Sequence, residues 1–313
     1  MKFKKSVFRS ISALLIVFFF ILTLYYFDWT EFRVQTFNFF VNHPYLLGMI
    51  TLTYFTSFLL RALAWKKYLQ NQVRLKYCLQ GVLLSLFINH ITPIKVGDLA
   101  RIWVLTKNED KMSWDEATHS VVMMRLLDML TLILFSLVGL ILFSKEIVIK
   151  LSFWMILLFI LIVVLFLIVI QKFLPAFYEK HWFLLKKGLF SSNSLTILPL
   201  ILLSWILEGI VIWGVLKSFN LAFPFWKSIW VNSITVGGQV FQITPGGITT
   251  YESIMSVTLG TLGVQMKDAY HAAFISHAYK FLFSYVIGLF TLLLMPKLKM
   301  KELKDILASK RGE

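Results

Sequence analysis

The chain has 313 residues, of which 58% are hydrophobic, 30 are Phe and only 15% are charged. Such a composition excludes an ordinary soluble domain and predicts a polytopic helical membrane protein. The net charge of +15 is spread over short basic clusters between apolar segments, which is the pattern of cytoplasmic loops, so nucleic acid is not an expected partner. Cys78 is the only cysteine, and neither an intramolecular disulfide nor a thiolate metal cage is expected.

Six apolar segments are long enough to be predicted as full transmembrane helices. Basic clusters precede the first segment and follow the second, the fourth and the last, so the positive-inside rule places both termini in the cytoplasm of a cell membrane. The loop that begins at Asp28 carries nearly balanced charge and is expected to face outward. The six spans are predicted at 11–27, 44–63, 118–143, 152–171, 195–216 and 270–295.

Two further apolar segments are interrupted by Ile-Thr-Pro followed by glycine, with Pro93 in the first and Pro245 in the second. The runs on either side of each interruption are shorter than the roughly 20 residues that a helix needs to cross the hydrocarbon. Broken helices in a membrane are tolerated where their freed backbone groups line a cavity or are covered by protein. We therefore predict two re-entrant helical hairpins, at 77–106 and 228–264. The interrupted segments around Pro93 and Pro245 are called the first and the second tip. An amphipathic interfacial helix is the alternative for the first hairpin.

The two hairpins stand at corresponding places in an internal repeat of span, span, hairpin and span. Pro93 and Pro245 lie 152 residues apart, and the same offset superimposes Arg125 on His277 and Asp128 on Lys280. Each repeat, 1–143 and 144–296, has an odd number of crossings, so the second is predicted to be inverted relative to the first, an architecture typical of secondary transporters. The basic tail at 297–313 is expected to form a short interfacial helix on anionic lipid.

Three motifs carry a resemblance to a known family, and together they span most of the chain. They are Pro93-x-Lys95-x-Gly97-Asp98-x-x-Arg101, Arg125-x-x-Asp128, and Pro245-Gly246-Gly247 followed by Glu252. They resemble the transmembrane flippase domain of the lysylphosphatidylglycerol synthases, the multiple peptide resistance factor family. The sequence departs from that pattern at three positions: Met124 where a carboxylate often precedes the arginine, Thr249 where a further glycine is usual, and Tyr251 where a basic residue often precedes the glutamate.

The resemblance implies a lipid translocase, not a lysyltransferase. The full-length synthases transfer lysine from charged tRNA through a large soluble C-terminal domain, whereas this chain ends about eighteen residues after its last predicted span. We therefore expect movement of an anionic or aminoacylated phospholipid such as lysylphosphatidylglycerol between leaflets, with a link to cationic peptide resistance.

Other functions stay open. A polyprenyl-phosphate carrier is an alternative substrate. A membrane enzyme that uses Asp98 or Glu252 as acid or base is an alternative class, although the chain contains no His-Glu-x-x-His and no Gly-x-Ser-x-Gly sequence. A third class is a membrane partner of a lipid synthase or of a glycosyltransferase. For the oligomeric state, a homodimer is an alternative to a monomer.

Translocation of a phosphate through hydrocarbon requires groups that replace its water. Lys95 and Arg101 flank the first tip and are predicted to hold the phosphate, Arg101 as a bidentate fork. Glycines at both tips would let the substrate approach the backbone closely. The predicted substrate-binding and translocation residues are Lys95, Gly97, Asp98, Arg101, Arg125, Asp128, Glu208, Gly246, Gly247, Glu252 and Lys280.

The four carboxylates of this set repel phosphate and need a separate account. They could receive a cationic head group, carry a proton that couples transport, or neutralise the four basic residues as buried structural pairs. Arg125 and Asp128 lie one turn apart on one helix face and are predicted to form such a pair. His277 shares a helix face with Lys280 and is compatible with a proton relay or with plain helix contacts. No second His or Cys stands at ligand spacing from His90, so neither a metal site nor a cofactor is expected.

Overall fold

The computed structural model describes residues 21, 23–92, 95–109, 112–146, 171–172, 175, 179, 194–239 and 244–295. Its regular elements in these ranges are all helical, which confirms the predicted all-α class. Most of the predicted first span, 11–27, and all of the predicted fourth span, 152–171, except residue 171 lie outside the described residues, and the tail at 297–313 lies wholly outside them.

Ten α-helices are numbered here along the described part of the chain. A π-helical turn at Asn38–Asn42 follows the first of them, and a 3-10 turn at Pro245–Gly247 lies between the eighth and the ninth. The helices are α1 Trp29–Phe37, α2 Pro44–Tyr68, α3 Leu75–Ile91, α4 Gly97–Asn108, α5 Trp114–Leu142, α6 Ser194–Glu208, α7 Ile210–Ser218, α8 Phe225–Gly238, α9 Thr250–Thr261 and α10 Met266–Leu293.

Four helical segments are long and apolar enough to cross a membrane. They are Pro44–Tyr68, Trp114–Leu142, Leu195–Ser218 and Met266–Leu293, and they coincide with the predicted second, third, fifth and last spans. Large apolar side chains on their outer faces are exposed, Ile141 by 73% and Leu293 by 82%, as expected of surfaces that face lipid. The protein is therefore a multi-pass membrane protein.

Local sequence explains where several helices begin. Pro44 occupies the first turn of α2, where its missing N–H has no partner to lose. Ser113 and Glu116 form a reciprocal capping box at the start of α5. The segment after Asp28, interpreted from the sequence as a loop, is helix α1 instead, because the Asp28 carboxylate accepts hydrogen bonds from the Thr30 and Glu31 N–H groups and caps it.

The predicted fifth span contains an interruption of the α-helix that the sequence pattern did not predict. Leu195–Ser218 consists of α6 and α7, which meet at Gly209, directly after Glu208. An interrupted helix in a membrane is tolerated where its freed backbone groups are buried in protein or line a cavity. Glu208 is the last residue of α6, and its side chain contacts Arg61 of α2 and Lys280 of α10.

The short helices form two packed pairs. In the first pair, α3 and α4 lie against each other, and the Arg74 N–H at the start of α3 donates to Glu109 Oε1 just past the end of α4, at 3.1 Å. At the opposite end of this pair, the Gly97 N–H donates to Asn89 Oδ1 at 2.8 Å. The two outer ends of the first pair thus lie side by side, and the hydrogen bond between Gly97 and Asn89 links α3 to α4 at the other end.

The second pair consists of α8 and α9, which also pack against each other. Lys227, in the first turn of α8, forms an ion pair with Glu146, just past the end of α5. Lys267, in the first turn of α10, forms ion pairs with Asp28 and Glu31. The chain segments that enter and leave the second pair are therefore tied to the end of α5 and the start of α1.

The helix bounds repeat with an offset of 152 residues. Shifted by 152, the bounds of α5 fall at 266 and 294, and α10 is observed at Met266–Leu293. Shifted likewise, the bounds of α4 fall at 249 and 260, and α9 is observed at Thr250–Thr261. The combined α6–α7 segment begins and ends two residues before the shifted bounds of α2, which fall at 196 and 220.

Candidate functional site

A cavity of about 120 Å³ lies between the two tips, and side chains from α2, α3, α5, α6 and α10 contribute to its wall. Lys95 lines it from the first tip and Gly246 from the second. The remaining charged residues of the lining are Arg61, Arg101, Arg125, Glu208 and Lys280. A small cavity with this many charges in a membrane protein is a candidate site for a polar substrate.

The first cluster of charges joins α4 to α5. Arg125 Nε donates to both carboxylate oxygens of Asp98, at 2.9 and 2.8 Å, and its Nη2 lies 2.8 Å from Asp98 Oδ1. Asp128, predicted as the structural partner of Arg125, lies 3.9 Å from it and accepts instead from Trp205 Nε1 at 2.9 Å. Arg125 therefore ties the start of α4 to α5, and Asp128 ties α5 to α6.

Arg101 differs from the other buried cations because its guanidinium has no hydrogen bond among the described residues. The side chain is buried, and its Nε has no partner. Asp98 Oδ1 lies 3.6 Å away, beyond hydrogen-bond distance. The guanidinium lines the cavity and lies 5.9 Å above the Trp65 ring. A buried charge without hydrogen bonds is costly, and a ligand that accepts hydrogen bonds would remove that cost.

The second cluster surrounds Glu208, where α6 ends and α7 follows. Glu208 Oε2 lies 2.5 Å from Arg61 Nη2, and Glu208 Oε1 lies 3.3 Å from Lys280 Nζ. Lys280 also donates to Asn232 Oδ1 at 3.0 Å, and the Arg61 guanidinium stacks 3.9 Å above the Trp205 ring. All these groups are buried, so Glu208 is fully engaged by two cations.

The third cluster joins the second tip to α10. His277 Nδ1 lies 2.7 Å from Glu252 Oε1, and His277 Nε2 lies 3.1 Å from the Gly246 carbonyl oxygen. Glu252 Oε2 accepts from the Thr249 N–H at 2.7 Å. A carbonyl cannot donate, so Nε2 carries a proton, and the Glu252–His277 hydrogen bond needs a second proton on one of its two atoms. The tip is thereby fixed to α10.

Backbone conformation explains the glycines of the second tip. Gly246 and Gly247 have φ values of 64° and 79°, in the left-handed region that glycine adopts without steric cost. Thr249 has φ of 81°, and it stands where a further glycine is usual in the pattern that the sequence resembles. Its strain is offset by the capping box that Thr249 forms with Glu252.

The structure brings the predicted site residues together around one cavity, some of them in its wall and the others behind it. Six of them form its wall: Lys95, Arg101, Arg125, Glu208, Gly246 and Lys280. The others lie behind that wall and hold it in place through the contacts above; they are Gly97, Asp98, Asp128, Gly247 and Glu252.

Arg61 is a site residue that the sequence interpretation missed. Its position just inside the end of the predicted second span suggested one more cytoplasmic loop charge, whereas the structure buries it against Glu208 and Ser204. The only sequence signal was its place within an apolar run, five residues before the basic cluster that begins at Lys66. Tyr251 was also missed as a lining residue; its ring stacks on His277 at 4.1 Å.

With Arg61 included, basic residues outnumber acidic ones in the described site. The sequence suggested four of each, and the structure adds a fifth cation without a fifth carboxylate. The basic set is Arg61, Lys95, Arg101, Arg125 and Lys280, and the acidic set is Asp98, Asp128, Glu208 and Glu252. The excess positive charge and the Arg101 guanidinium, which has no hydrogen bond among the described residues, both favour an anionic ligand.

Comparison with known proteins identifies the family to which the sequence is similar. A family model described as "Lysylphosphatidylglycerol synthase TM region" matches residues 9–288. No curated protein and no solved structure gives a match. The matched residues include both tips and all three charge clusters.

Proposed function

This chain belongs to the family of the lysylphosphatidylglycerol synthase transmembrane region, and we propose that it is a lipid translocase. It moves a lipid with a phosphate-bearing head group, anionic or aminoacylated, between membrane leaflets. The proposal assigns no lysyl transfer to the described residues. The observation that carries it is the buried Arg101 guanidinium, which faces the cavity between the two tips without a hydrogen bond among the described residues.

A phosphate that leaves water loses many kcal/mol of hydration unless fixed donors replace it. Arg101 supplies such donors from a side chain whose position is already set by packing against Trp65. Lys95, which forms no ion pair with the residues described, adds a second cation at the first tip. The wall of the cavity can thus compensate a phosphate charge partway through the membrane.

We further propose six spans and two re-entrant hairpins in an inverted repeat, with both termini in the cytoplasm of the cell membrane. At 1.5 Å per residue, the 17 residues of α3 extend about 26 Å and the 12 residues of α4 about 18 Å, less than the roughly 30 Å of hydrocarbon. The contact between Arg74 and Glu109, at the two outer ends of that pair, supports entry and exit on one side.

Cysteine labelling tests this topology. Single cysteines at Gln72 and Asp115, on either side of the first pair, and at Ala222 and Gln265, on either side of the second, all occupy exposed positions. In a Cys78→Ala background, the first two should react with a membrane-impermeant maleimide only from the cytoplasmic side and the last two only from outside. Labelling of the two flanks of one pair from opposite sides would show that the pair crosses the membrane.

Leaflet exchange in proteoliposomes tests the function. Head-group-labelled phosphatidylglycerol, its lysyl ester and a polyprenyl phosphate are compared, and label in the outer leaflet is destroyed chemically over time. We expect exchange of at least one of these lipids above the rate in empty liposomes. Arg101→Ala should reduce it at least tenfold, and Arg101→Lys should restore only part, because an ammonium lacks the bidentate fork. Arg74→Ala, which removes an exposed arginine, should leave the rate unchanged.

Glu252→Gln tests the second tip in the same assay. The amide oxygen can still accept from the Thr249 N–H, but the amide does not carry the negative charge that a carboxylate places beside His277. We expect a slower exchange rate from a folded protein in the membrane. If none of the three lipids exchanges in the wild type, with or without a proton gradient, the translocase proposal fails and a lipid-modifying enzyme or a synthase partner takes its place.

A further inference from the structure

We infer that the head group received by this cavity is an anion that carries no ammonium group, a phosphodiester or a phosphomonoester. This rests on the translocase function proposed above and narrows its substrate class from anionic or aminoacylated lipids to anionic ones. The juxtaposition that carries it is a buried guanidinium without hydrogen bonds among the described residues, beside carboxylates that are all already engaged.

Three buried side chains of the cavity wall have a polar atom without a hydrogen-bond partner in the part of the chain described. These atoms are Arg101 Nε, Tyr251 Oη and Ser85 Oγ, on side chains at most 6% exposed. Each can donate a hydrogen bond, and phosphate oxygens only accept. An ammonium group could bond to the two hydroxyls but would be repelled by Arg101 and Lys95. The unsatisfied groups are thus complementary to an anion.

No carboxylate among the described site residues is left for a substrate ammonium. Asp98 is held by Arg125 at 2.8 Å, and Asp128 accepts from Trp205 at 2.9 Å. The other two, on the second half of the site, are held by protein cations or by hydrogen bonds at both oxygens: Glu208 by Arg61 and Lys280, and Glu252 by His277 and the Thr249 N–H. A lysyl ester would bring an ammonium into a site whose described carboxylates already have partners within the protein.

The protein itself fills the position that suits an ammonium. Lys280 Nζ lies 3.3 Å from Glu208 Oε1 and 3.0 Å from Asn232 Oδ1. It also lies 5.2 Å above the Tyr251 ring and 5.9 Å above the Tyr54 ring. Two acceptors and two aromatic faces form the usual environment of a bound ammonium. A side chain covalently held in this place excludes a substrate ammonium from it.

The decisive comparison is the exchange rate of two lipids that differ only in the lysyl group. Phosphatidylglycerol and its lysyl ester, with identical acyl chains and the same acyl-chain fluorophore, are measured in the same proteoliposomes; a polyprenyl phosphate arm separates the phosphodiester source from the phosphomonoester source. We expect phosphatidylglycerol or the polyprenyl phosphate to exchange at least tenfold faster than the lysyl ester. Equal or faster exchange of the lysyl ester would overturn the inference and leave the translocase function intact.

Lys280→Met tests why the lysyl ester is excluded. The variant removes the ammonium beside Glu208, so exchange of the lysyl ester relative to phosphatidylglycerol should rise severalfold. Lys267→Met is the matched control, because it removes an ammonium from the exposed start of the same helix, and the ratio should not change. An unchanged ratio in Lys280→Met, with the variant folded, would refute the role given to Lys280.

A binding measurement separates failure of the inference from failure of the proposed function. Thermal stabilisation of the solubilised protein by glycerol phosphate and by lysine methyl ester reports head-group preference without translocation. Stabilisation by glycerol phosphate alone, lost in Arg101→Ala, supports the anionic class even if no lipid exchanges. Stabilisation by lysine methyl ester to an equal or greater extent overturns it.

Discussion

At the first tip, we expect the addition of a single methyl group to be most destabilising at Gly97. A Cβ at Gly97 would lie 2.2 Å from the Ser85 carbonyl oxygen and 2.8 Å from both Asn89 Oδ1 and Ser85 Oγ. The closest of these atoms is backbone, so no rotamer change relieves the clash, and α3 and α4 must move apart. Overpacking of this kind costs about 1–3 kcal/mol, and every 1.4 kcal/mol or so is tenfold in the folding equilibrium.

The matched control for Gly97→Ala is Gly237→Ala in α8. No heavy atom lies within 4 Å of a Cβ at Gly237, so the same substitution should be neutral or stabilising by up to about 1 kcal/mol. Unfolding by SDS in mixed micelles measures both variants, and lipid exchange is recorded in parallel. We expect Gly97→Ala to lose stability and exchange together. Wild-type stability of Gly97→Ala would refute the close approach of α3 and α4 as the reason for this glycine.

Two further predictions concern charges in different surroundings. Glu208→Gln leaves Arg61 and Lys280 buried without their carboxylate and should destabilise the fold by about 3–5 kcal/mol; addition of Lys280→Met should recover part of this loss in the same SDS titration, and additive losses would argue against the pair. Asp28 lies outside the spans, where a hydrogen bond from the Lys267 ammonium, followed by one from the Glu31 N–H, lowers the pKa of its carboxyl from 3.8 to about 2. Because the pKa is depressed in the folded state, the Asp28 contribution should be complete above pH 3.8 and lost as the pH falls through about 2. Asp28→Asn, which keeps the helix cap, should remove that part of the pH dependence of thermal unfolding, and an unchanged acid profile would contradict it.

The sequence allowed prediction of the helices that apolar periodicity and length define, and of the two short, interrupted pairs. It also allowed prediction of their common offset, since Pro93 and Pro245 mark equivalent breaks, and the helix bounds repeat with nearly the same spacing. These features are local, because helix formation and interruption depend on residues within a few turns of each other. Helix α1 was missed because an aspartate such as its N-cap residue, Asp28, is equally typical of a charged loop.

The partners of the buried charges could not be predicted from the sequence. Arg61 and Glu208 are 147 residues apart, and nothing in either segment indicates which face of one helix meets the other. The helix interruption at Gly209 lies next to Glu208, and a single glycine in an apolar run predicts such an interruption only weakly. Arg125 was paired with Asp128 on helix spacing alone, whereas the packing of α4 against α5 supplies Asp98 as a better placed partner.

Positions related by the 152-residue offset contact the carboxylates of the two tips. Asp98 stands in the first turn of α4 and Glu252 in the first turn of α9, where the helix N-terminus stabilises a carboxylate. Each forms a hydrogen bond with a residue of the following long helix, Arg125 in one half and His277 in the other, and these two residues are related by the 152-residue offset. The offset thus relates two positions that contact a tip carboxylate, and not two residues of one type. This is why an arginine and a histidine can occupy them, and why the equivalence is visible in the spacing of the chain but not in its residue identities.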